Sequence, residues 1–271
     1  MPAPRVALFT DTYDEVSGVG KTFQRLARYC ERHGQPLDVF TVAPSSSLET
    51  RGAVTVHRIK PRLPFEYYPG LLFDLIPFDD TALTYARERE FDVVHVATPG
   101  HMGITGLYLA YQHGLPLVGS YHTEFPRYVS SRILGRLDES WHEDPDAVAY
   151  IEEVSGDLTW DFLAGFYAPC QSVLVPSEAT RAAVAERLRP PLALFERGVD
   201  RALFHPGRRR RPVDAPPRLL YVGRLAIEKN LAWLVAAARA HPEWELTLVG
   251  DGPQRDELAA ALPRAVFTGF L

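Results

Sequence analysis

Two cations stand close to one glycine in residues 219–230, LLYVGRLAIEKN: Arg224 and Lys229 both follow the break at Gly223. An apolar run precedes the break and an Ala-rich helical pattern follows it. A strand, a glycine turn and a helix start form a natural anion site. The first helical N–H groups lack an intrahelical acceptor, and the helix dipole is positive there. Two cations at such a turn suit a diphosphate. The same arrangement is also plain structure in many proteins, and on the turn alone both readings stand.

Residues 15–22, EVSGVGKT, come close to three phosphate patterns. Gly20, Lys21 and Thr22 fit the end of a P-loop, but Glu15 occupies its first glycine position, where a carboxylate would repel phosphate. Gly18 and Gly20 fit a dinucleotide fingerprint that then fails at Phe23. The third reading is a glycine loop that lets a nucleotide-sugar or an acceptor approach a helix start closely. Lysine usage supports both turns. Of 29 basic residues only Lys21, Lys60 and Lys229 are lysine, and two of these sit at candidate phosphate turns.

His122 follows the apolar run LPLVGSY directly, which places a polar ring at a strand's carboxyl end. His95, inside FDVVHVA, reads as core. His101 and Met102 follow a turn that Gly100 and Gly103 shape. The cluster His142, Glu143, Asp144 and Asp146 resembles a metal-binding acidic pair, yet no strand precedes it and it reads as solvated surface. No Cys/His spacing suggests zinc, and no G-x-S-x-G supports a serine nucleophile. No metal and no cofactor are expected.

The elements that must position these residues alternate. Strands are expected at 5–10, 37–42, 54–58, 91–97, 115–120, 172–175 and 192–196. Helices are expected at 21–33, 81–90, 103–113, 158–168 and 178–188, the first stopped by Gly34 and the last capped by Ser177. Strand–helix alternation predicts an α/β fold with a mostly parallel, doubly wound sheet, with ligands at the carboxyl ends of its strands. After a Pro- and Arg-rich stretch holding PGRRRRP the pattern restarts. Strands are expected at 218–222, 245–249 and 265–268, with helices at 230–240 and 254–262 and the turn Gly250-Asp251-Gly252-Pro253 between. The expected domains are 1–197 on the acceptor side, a linker at 198–217 and a partial donor domain at 218–271.

The bulk numbers exclude several classes. A net charge of −5 over 271 residues argues against a nucleic-acid partner. No apolar run reaches the ~20 residues that span a bilayer. Cys30 and Cys170 make no disulfide framework, which fits a reducing, cytoplasmic setting.

Taken in order, TDTYDEVSGVGKTFQRLARY, SYHTEFPRY, VLVPSEAT, RGVDRALFHP, LLYVGRLAIEKN and LTLVGDGPQRDEL with VFTGFL closely resemble one family. They resemble the retaining glycosyltransferases of family 4, of the GT-B fold, which includes lipid mannosyl- and glucosyltransferases. The resemblance implies a complete N-terminal Rossmann-like domain and an incomplete second one. It implies a hexose passed with retention and without metal from a UDP- or GDP-sugar to an acceptor hydroxyl. Gly18 and Gly20 would lie near the donor's diphosphate and sugar, and His122 beside the transferred sugar. Arg224 and Lys229, at the Gly223 turn, would clamp the diphosphate, and Gly250 and Gly252 would lie near the base.

The family's E-x7-E carboxylates fall beyond Leu271, so the chain as given is expected to be inactive or nearly so. A lipid or glycolipid acceptor, with peripheral contact at the inner membrane face, is suggested by residues 65–78, by residues 127–136 and by the resemblance itself. A non-catalytic sugar-nucleotide- or protein-binding module, a GT-B sugar epimerase and a P-loop NTPase remain as alternatives.

Overall fold

The computed structural model describes residues 3–68, 71–74, 80–134, 137, 144–212, 215 and 217–271. They form two compact units, Met1–Pro126 with Glu153–Gly198, and Arg127–Glu152 with Val199–Leu271.

The first unit is built on an eight-stranded sheet. Its strands are β1 (Val6–Phe9), β2 (Leu37–Val42), β3 (Ser47–Arg51), β4 (Val54–Ile59), β7 (Val93–Val96), β8 (Leu117–Ser120), β9 (Ser172–Val175) and β10 (Leu192–Leu194). Their order is β10-β9-β8-β7-β1-β2-β4-β3, and every pairing is parallel except β3 with β4. A separate antiparallel hairpin joins β5 (Pro64–Tyr68) and β6 (Leu71–Asp74). From β1 the chain winds first to β2 and β4, then returns to β7 on the other side. The crevice at the carboxyl ends of β1 and β7 is therefore the sheet's switch point.

Both faces of the sheet are covered, as the period of two along a strand requires. Leu8, Leu37 and Val39 point to the face packed by α1 (Gly18–His33), through Phe23, Ala27 and Cys30. Ala7, Phe9, Phe40 and Val42 point to the other face. There they meet α2 (Asp80–Arg87), α3 (His101–His113), α5 (Pro145–Tyr167) and α6 (Glu178–Val184). The remaining helix of this stretch, α4 (Phe125–Leu134), follows β8.

α1 begins three residues earlier than its apolar spacing suggests. Ser17 is its N-cap, and its hydroxyl accepts the Gly20 N–H at 3.1 Å. Gly18 and Gly20 therefore lie in the first helical turn, not in a loop before it. Gly34 ends the helix in the left-handed region, φ 65°, as expected of a C-terminal glycine. Ser177 caps α6 by accepting the Thr180 N–H.

The second unit carries a parallel three-stranded sheet, β11 (Arg218–Val222), β12 (Glu245–Val249) and β13 (Val266–Gly269), in that order. α7 (Ala232–Ala240) and α8 (Arg255–Ala261) cover it through a core of Leu225, Leu231, Leu246, Leu248, Leu258 and Leu262.

Candidate active site

In the first unit, the switch-point crevice is filled by the protein itself. Asp11, just past β1, is buried. Its Oδ2 accepts the Thr98 hydroxyl at 2.5 Å, and its Oδ1 accepts the Met102 N–H at 3.0 Å. Its own N–H donates to Thr98 Oγ1 at 2.9 Å. The carboxylate thus caps α3 from 91 residues away in the chain. Burial raises its pKa, while the bonds from Met102 and Thr98 pull the other way. His101 and Met102 are buried in the first turn of α3, consistent with a turn shaped by its glycines.

One strand further on, the arrangement is open to chemistry. His122 lies two residues past β8, its ring edge-on to Phe23 at 5.3 Å and tilted against Phe195 at 6.2 Å. Both ring nitrogens are buried and make no hydrogen bond. Burial, helped by the charge of Arg197, pushes its pKa down to about 4. The imidazole is therefore neutral at pH 7, with one donor and one acceptor unspent. His95 is a core residue, as its position inside a strand suggests. Its Nε2 pairs with Ser120 Oγ at 2.6 Å, and burial drives its pKa to about 3.

Phe23 ties His122 to α1, whose start holds Gly18 and Gly20. A Cβ on Gly20 would stand 2.5 Å from the Thr12 carbonyl oxygen and 2.6 Å from that of Glu15, so only glycine lets this loop fold back on the helix. Lys21 points away and donates to Gln24 at 3.3 Å, and the Thr22 hydroxyl is spent on the Gly18 carbonyl. That is not the arrangement a P-loop needs, where lysine and hydroxyl both face the phosphates. An open cavity of about 210 Å³ is lined by Tyr13, Asp14, Arg28, Glu49 and Arg58 among others, but by none of the candidate residues. Arg58 there is already bound by Asp14 and Glu49.

The spacing of residues gives no hint of Arg197. It follows β10 and Phe195, and its Nη1 lies 2.7 Å from where a Cβ on Gly18 would stand. Its Nη2 reaches the His122 carbonyl at 3.5 Å, and Arg25 holds the next residue, Gly198, through its carbonyl at 2.5 Å. The signal available in sequence was its position just past a strand's carboxyl end.

In the second unit, Arg224 and Lys229 both lie in the segment that joins β11 to α7. The Tyr221 hydroxyl donates to the Arg224 carbonyl at 2.7 Å, which fixes the backbone beside Gly223. Lys229 closes a 3-10 turn, Ile227–Lys229, and among the described residues it makes no ion pair. Asn230 follows in the left-handed region, so α7 starts at Ala232, two residues later than the pattern suggests. Gly250, at φ 127°, packs against this turn: a Cβ there would stand 2.0 Å from the Gly223 carbonyl oxygen. Gly252 lies in the same turn after β12, beside the Leu225 carbonyl.

Other candidates carry less. His142 and Glu143 lie outside the described residues. Asp144 is spent as a helix cap, its Oδ1 accepting the N–H groups of Asp146 and Ala147. The side chains of 65–78, and several of those in 127–136, also lie outside the described residues. Among the described residues no cluster of three metal-ligating side chains occurs. No described helix is long and apolar enough to cross a membrane.

Residues 16–203 match the family model described as Glycosyltransferase Family 4, and residues 216–271 match Glycosyl transferases group 1. A GDP-mannose-dependent alpha-mannosyltransferase of Mycobacterium tuberculosis is 29% identical over 98% of this chain and 67% of its own length. An alpha-monoglucosyldiacylglycerol synthase of Streptococcus pneumoniae is 27% identical over 98% of this chain and 62% of its own. For another relative matched along 98% of this chain, the span falls to 51% of that protein. Among solved structures, sucrose-phosphate synthase from Thermosynechococcus elongatus superposes with a TM-score of 0.70 at 18% identity, covering 99% of this chain and 71% of that one. That likeness shows the GT-B fold.

Proposed function

The chain belongs to glycosyltransferase family 4, and from that premise we propose that it serves the transfer of a hexose from a nucleoside diphosphate sugar to a hydroxyl of a lipid-linked acceptor, with retention at the sugar carbon. The observation that carries this reading is His122. It is a neutral imidazole with both nitrogens unpartnered, just past a strand's carboxyl end and edge-on to Phe23 of α1. A buried polar ring without partners is costly, about 1–3 kcal/mol for each unsatisfied group, and a ligand rich in hydroxyls would satisfy it.

Arg224 and Lys229 are assigned to the leaving diphosphate. Negative charge grows there as the glycosidic bond breaks, and fixed cations stabilise it without a metal. In the retaining course the acceptor oxygen bonds to the anomeric carbon on the face the diphosphate leaves. The acceptor's proton passes to a phosphate oxygen of the leaving group, so the nucleoside diphosphate departs protonated. The donor assignment to a GDP- or UDP-sugar and the lipid acceptor draw support from the names of the two curated relatives.

The test incubates the chain with GDP-mannose or UDP-glucose and diacylglycerol or a glucosyl diacylglycerol in mixed micelles. An α-linked glycolipid supports the reading. A β-linked product would overturn retention, and failure of calorimetric titration to detect either nucleotide-sugar would overturn the donor assignment.

A further inference from the structure

The open cavity of about 210 Å³ in the first unit takes no part in the site described above. It lies at the edge of the sheet, between α1 and the β3–β4 hairpin, and β4 stands two strands from β1. Val54, Val56 and Arg58 share one face of β4 by its period of two, and the register sets Arg51 opposite Val54 and Glu49 opposite Val56. Ala27, Arg28 and Glu31 face them from α1. Ala27, Val54 and Val56 are buried, whereas Arg28, Glu31 and Arg51 are exposed. The cavity therefore has an apolar floor and a charged rim. Its walls are tied to one another. Arg58 donates to both oxygens of Asp14, at 2.6 and 3.0 Å, and to Glu49 at 2.9 Å. Arg51 holds the other Glu49 oxygen, and Gln24 Nε2 donates to the Tyr13 carbonyl at 2.6 Å. The loop after β1, the hairpin and α1 are thus held in one geometry before any ligand arrives. Tyr13 is 7% exposed, yet among the described residues its hydroxyl makes no hydrogen bond. The charges that act on it are those of Asp14, Arg58, Glu49 and Arg28, all of which line the cavity, so the hydroxyl faces inward. Arg28 and Glu31 make no ion pair among the described residues. A hydroxyl, a guanidinium and a carboxylate are left unspent around an apolar floor.

We propose that this cavity is a second ligand site, for a single neutral sugar ring, separate from the site of transfer. Charge decides the class of ligand. Asp14, Glu31 and Glu49 stand against Arg28, Arg51 and Arg58, so the lining carries no formal net charge. An ion of either sign gains no net attraction from such a lining. A hydroxyl both donates and accepts, so adjacent hydroxyls of one ring can take Tyr13, Arg28 and Glu31 together. The ring's C–H face covers Ala27, Val54 and Val56, and that burial adds the apolar part of the affinity. Size decides the length. Pockets for drug-sized ligands run to about 300–1,000 Å³, and this smaller one admits one ring. The site goes beyond the transfer reaction and does not rest on it.

The experiment titrates the whole chain with three single rings, the neutral methyl glucoside, the anionic methyl glucuronide and the cationic glucosamine, and reads affinity by calorimetry and ligand-observed NMR. Methyl glucoside should bind more tightly than either charged ring. Tyr13→Phe keeps the aromatic ring and removes the hydroxyl, and it should weaken methyl glucoside about three- to tenfold, one neutral hydrogen bond's worth. That hydroxyl has no partner to lose, so thermal unfolding should be unchanged. Glu31→Gln, at an exposed and unpaired position, leaves the lining with a surplus positive charge. It should move the preference from methyl glucoside toward methyl glucuronide, which a purely structural role for Glu31 would not do. His122→Phe should leave methyl glucoside binding as it is. Failure of methyl glucoside to bind would overturn the proposal, as would equal affinity for all three rings or an unchanged affinity in Tyr13→Phe. Loss of methyl glucoside binding in His122→Phe would place the ring in the proposed transfer site and overturn the second site. If methyl glucoside binds through Tyr13 but no hexose is transferred to lipid, the proposed reaction fails and this site stands.

Discussion

The Asp11 carboxylate and the Thr98 hydroxyl meet at 2.5 Å, fully buried, across 87 residues of chain. This pair closes the crevice between β1 and β7, where a doubly wound sheet ordinarily admits its ligand, and it caps α3 at the same time. Thr98→Val keeps the shape and removes the hydroxyl. It leaves one carboxylate oxygen and the Asp11 N–H without their partner, so unfolding free energy should fall by about 2–3 kcal/mol in urea titrations. The sign with pH follows from the raised pKa of Asp11. Its contribution is fullest below the unfolded value near 4 and is lost as pH rises through the folded value. Removing a bond that favours the ionised form makes that loss worse. The penalty of Thr98→Val should be larger at pH 7 than at pH 4, and an equal penalty at both would contradict the assigned bond.

His122 should behave as a residue kept for function against stability. Phe fits between Phe23 and Phe195 and carries no polar nitrogen. His122→Phe is expected to raise unfolding free energy at pH 7 by about 1–3 kcal/mol, the cost of a buried unsatisfied group. It should reduce any sugar transfer or nucleotide-sugar binding by at least about tenfold, one lost hydrogen bond's worth. Thermal unfolding and calorimetry check the two halves independently.

Much of this could be read from the residues before any coordinates. The apolar runs at 37–42, 172–175, 218–222 and 245–249 match their strands residue for residue; in β2 the reason is burial on both faces, which needs continuous apolar sequence, whereas β11 has the apolar run although Leu220 and Val222 are exposed. β3 could not be read that way. SLETR is an edge strand with almost every side chain exposed, so no burial pattern marks it. The start of α1 was hidden by Gly18 and Gly20, poor helix formers that nonetheless follow an N-capping Ser17.

Of the candidate residues, His122 in the first unit was legible as a polar ring past a strand, and Arg224 and Lys229 in the second as cations at a turn. Asp11 and Arg197 were not, since their partners lie 91 and 75 residues away and no local spacing encodes such contacts.

Acid should unfold the first unit through its histidines. His122 is held down to about 4 and His95 to about 3, chiefly by burial, so both are less protonated folded than unfolded. The stability they confer is present above the unfolded value near 6.5 and is lost as pH falls through the folded values. For His122 alone the drop from pH 6.5 to 4 approaches about 3 kcal/mol. His122→Phe should therefore flatten part of the wild-type decline over that range, read as unfolding midpoints in urea at successive pH values. Parallel curves for the two proteins would contradict a buried neutral imidazole.

Arg224 and Lys229 should act on the departing diphosphate more than on the resting complex. In any transfer the chain supports, Arg224→Gln and Lys229→Gln are each expected to lower kcat by about 10²–10³-fold with a smaller change in KM, the pattern of lost transition-state charge stabilisation. The two effects should be less than additive, because the proposed function gives both cations one group to serve. A rise in KM with kcat intact would instead make them ordinary binding residues.

The turn that holds these cations depends on a glycine in its neighbour. At Gly250 a Cβ would stand 2.0 Å from the Gly223 carbonyl oxygen, and φ is 127°. Neither strain is relieved by a rotamer change, because the obstacle is backbone. Gly250→Ala must push apart the turns after β11 and β12, which the Gly223 N–H to Val249 carbonyl bond, at 2.9 Å, also joins. The expected cost is more than about 2 kcal/mol of stability, from strain in a region that side chains rarely adopt. Diphosphate affinity should fall with it, since the Arg224 backbone is set by the same packing. Gly269→Ala is the control. It also has positive φ, 72°, but nothing lies within 4 Å of its Cβ position, so it should cost about 1–2 kcal/mol and leave GDP binding unchanged. Equal losses of GDP affinity in the two variants, measured by calorimetry below the unfolding range, would refute the link between Gly250 and the cation turn.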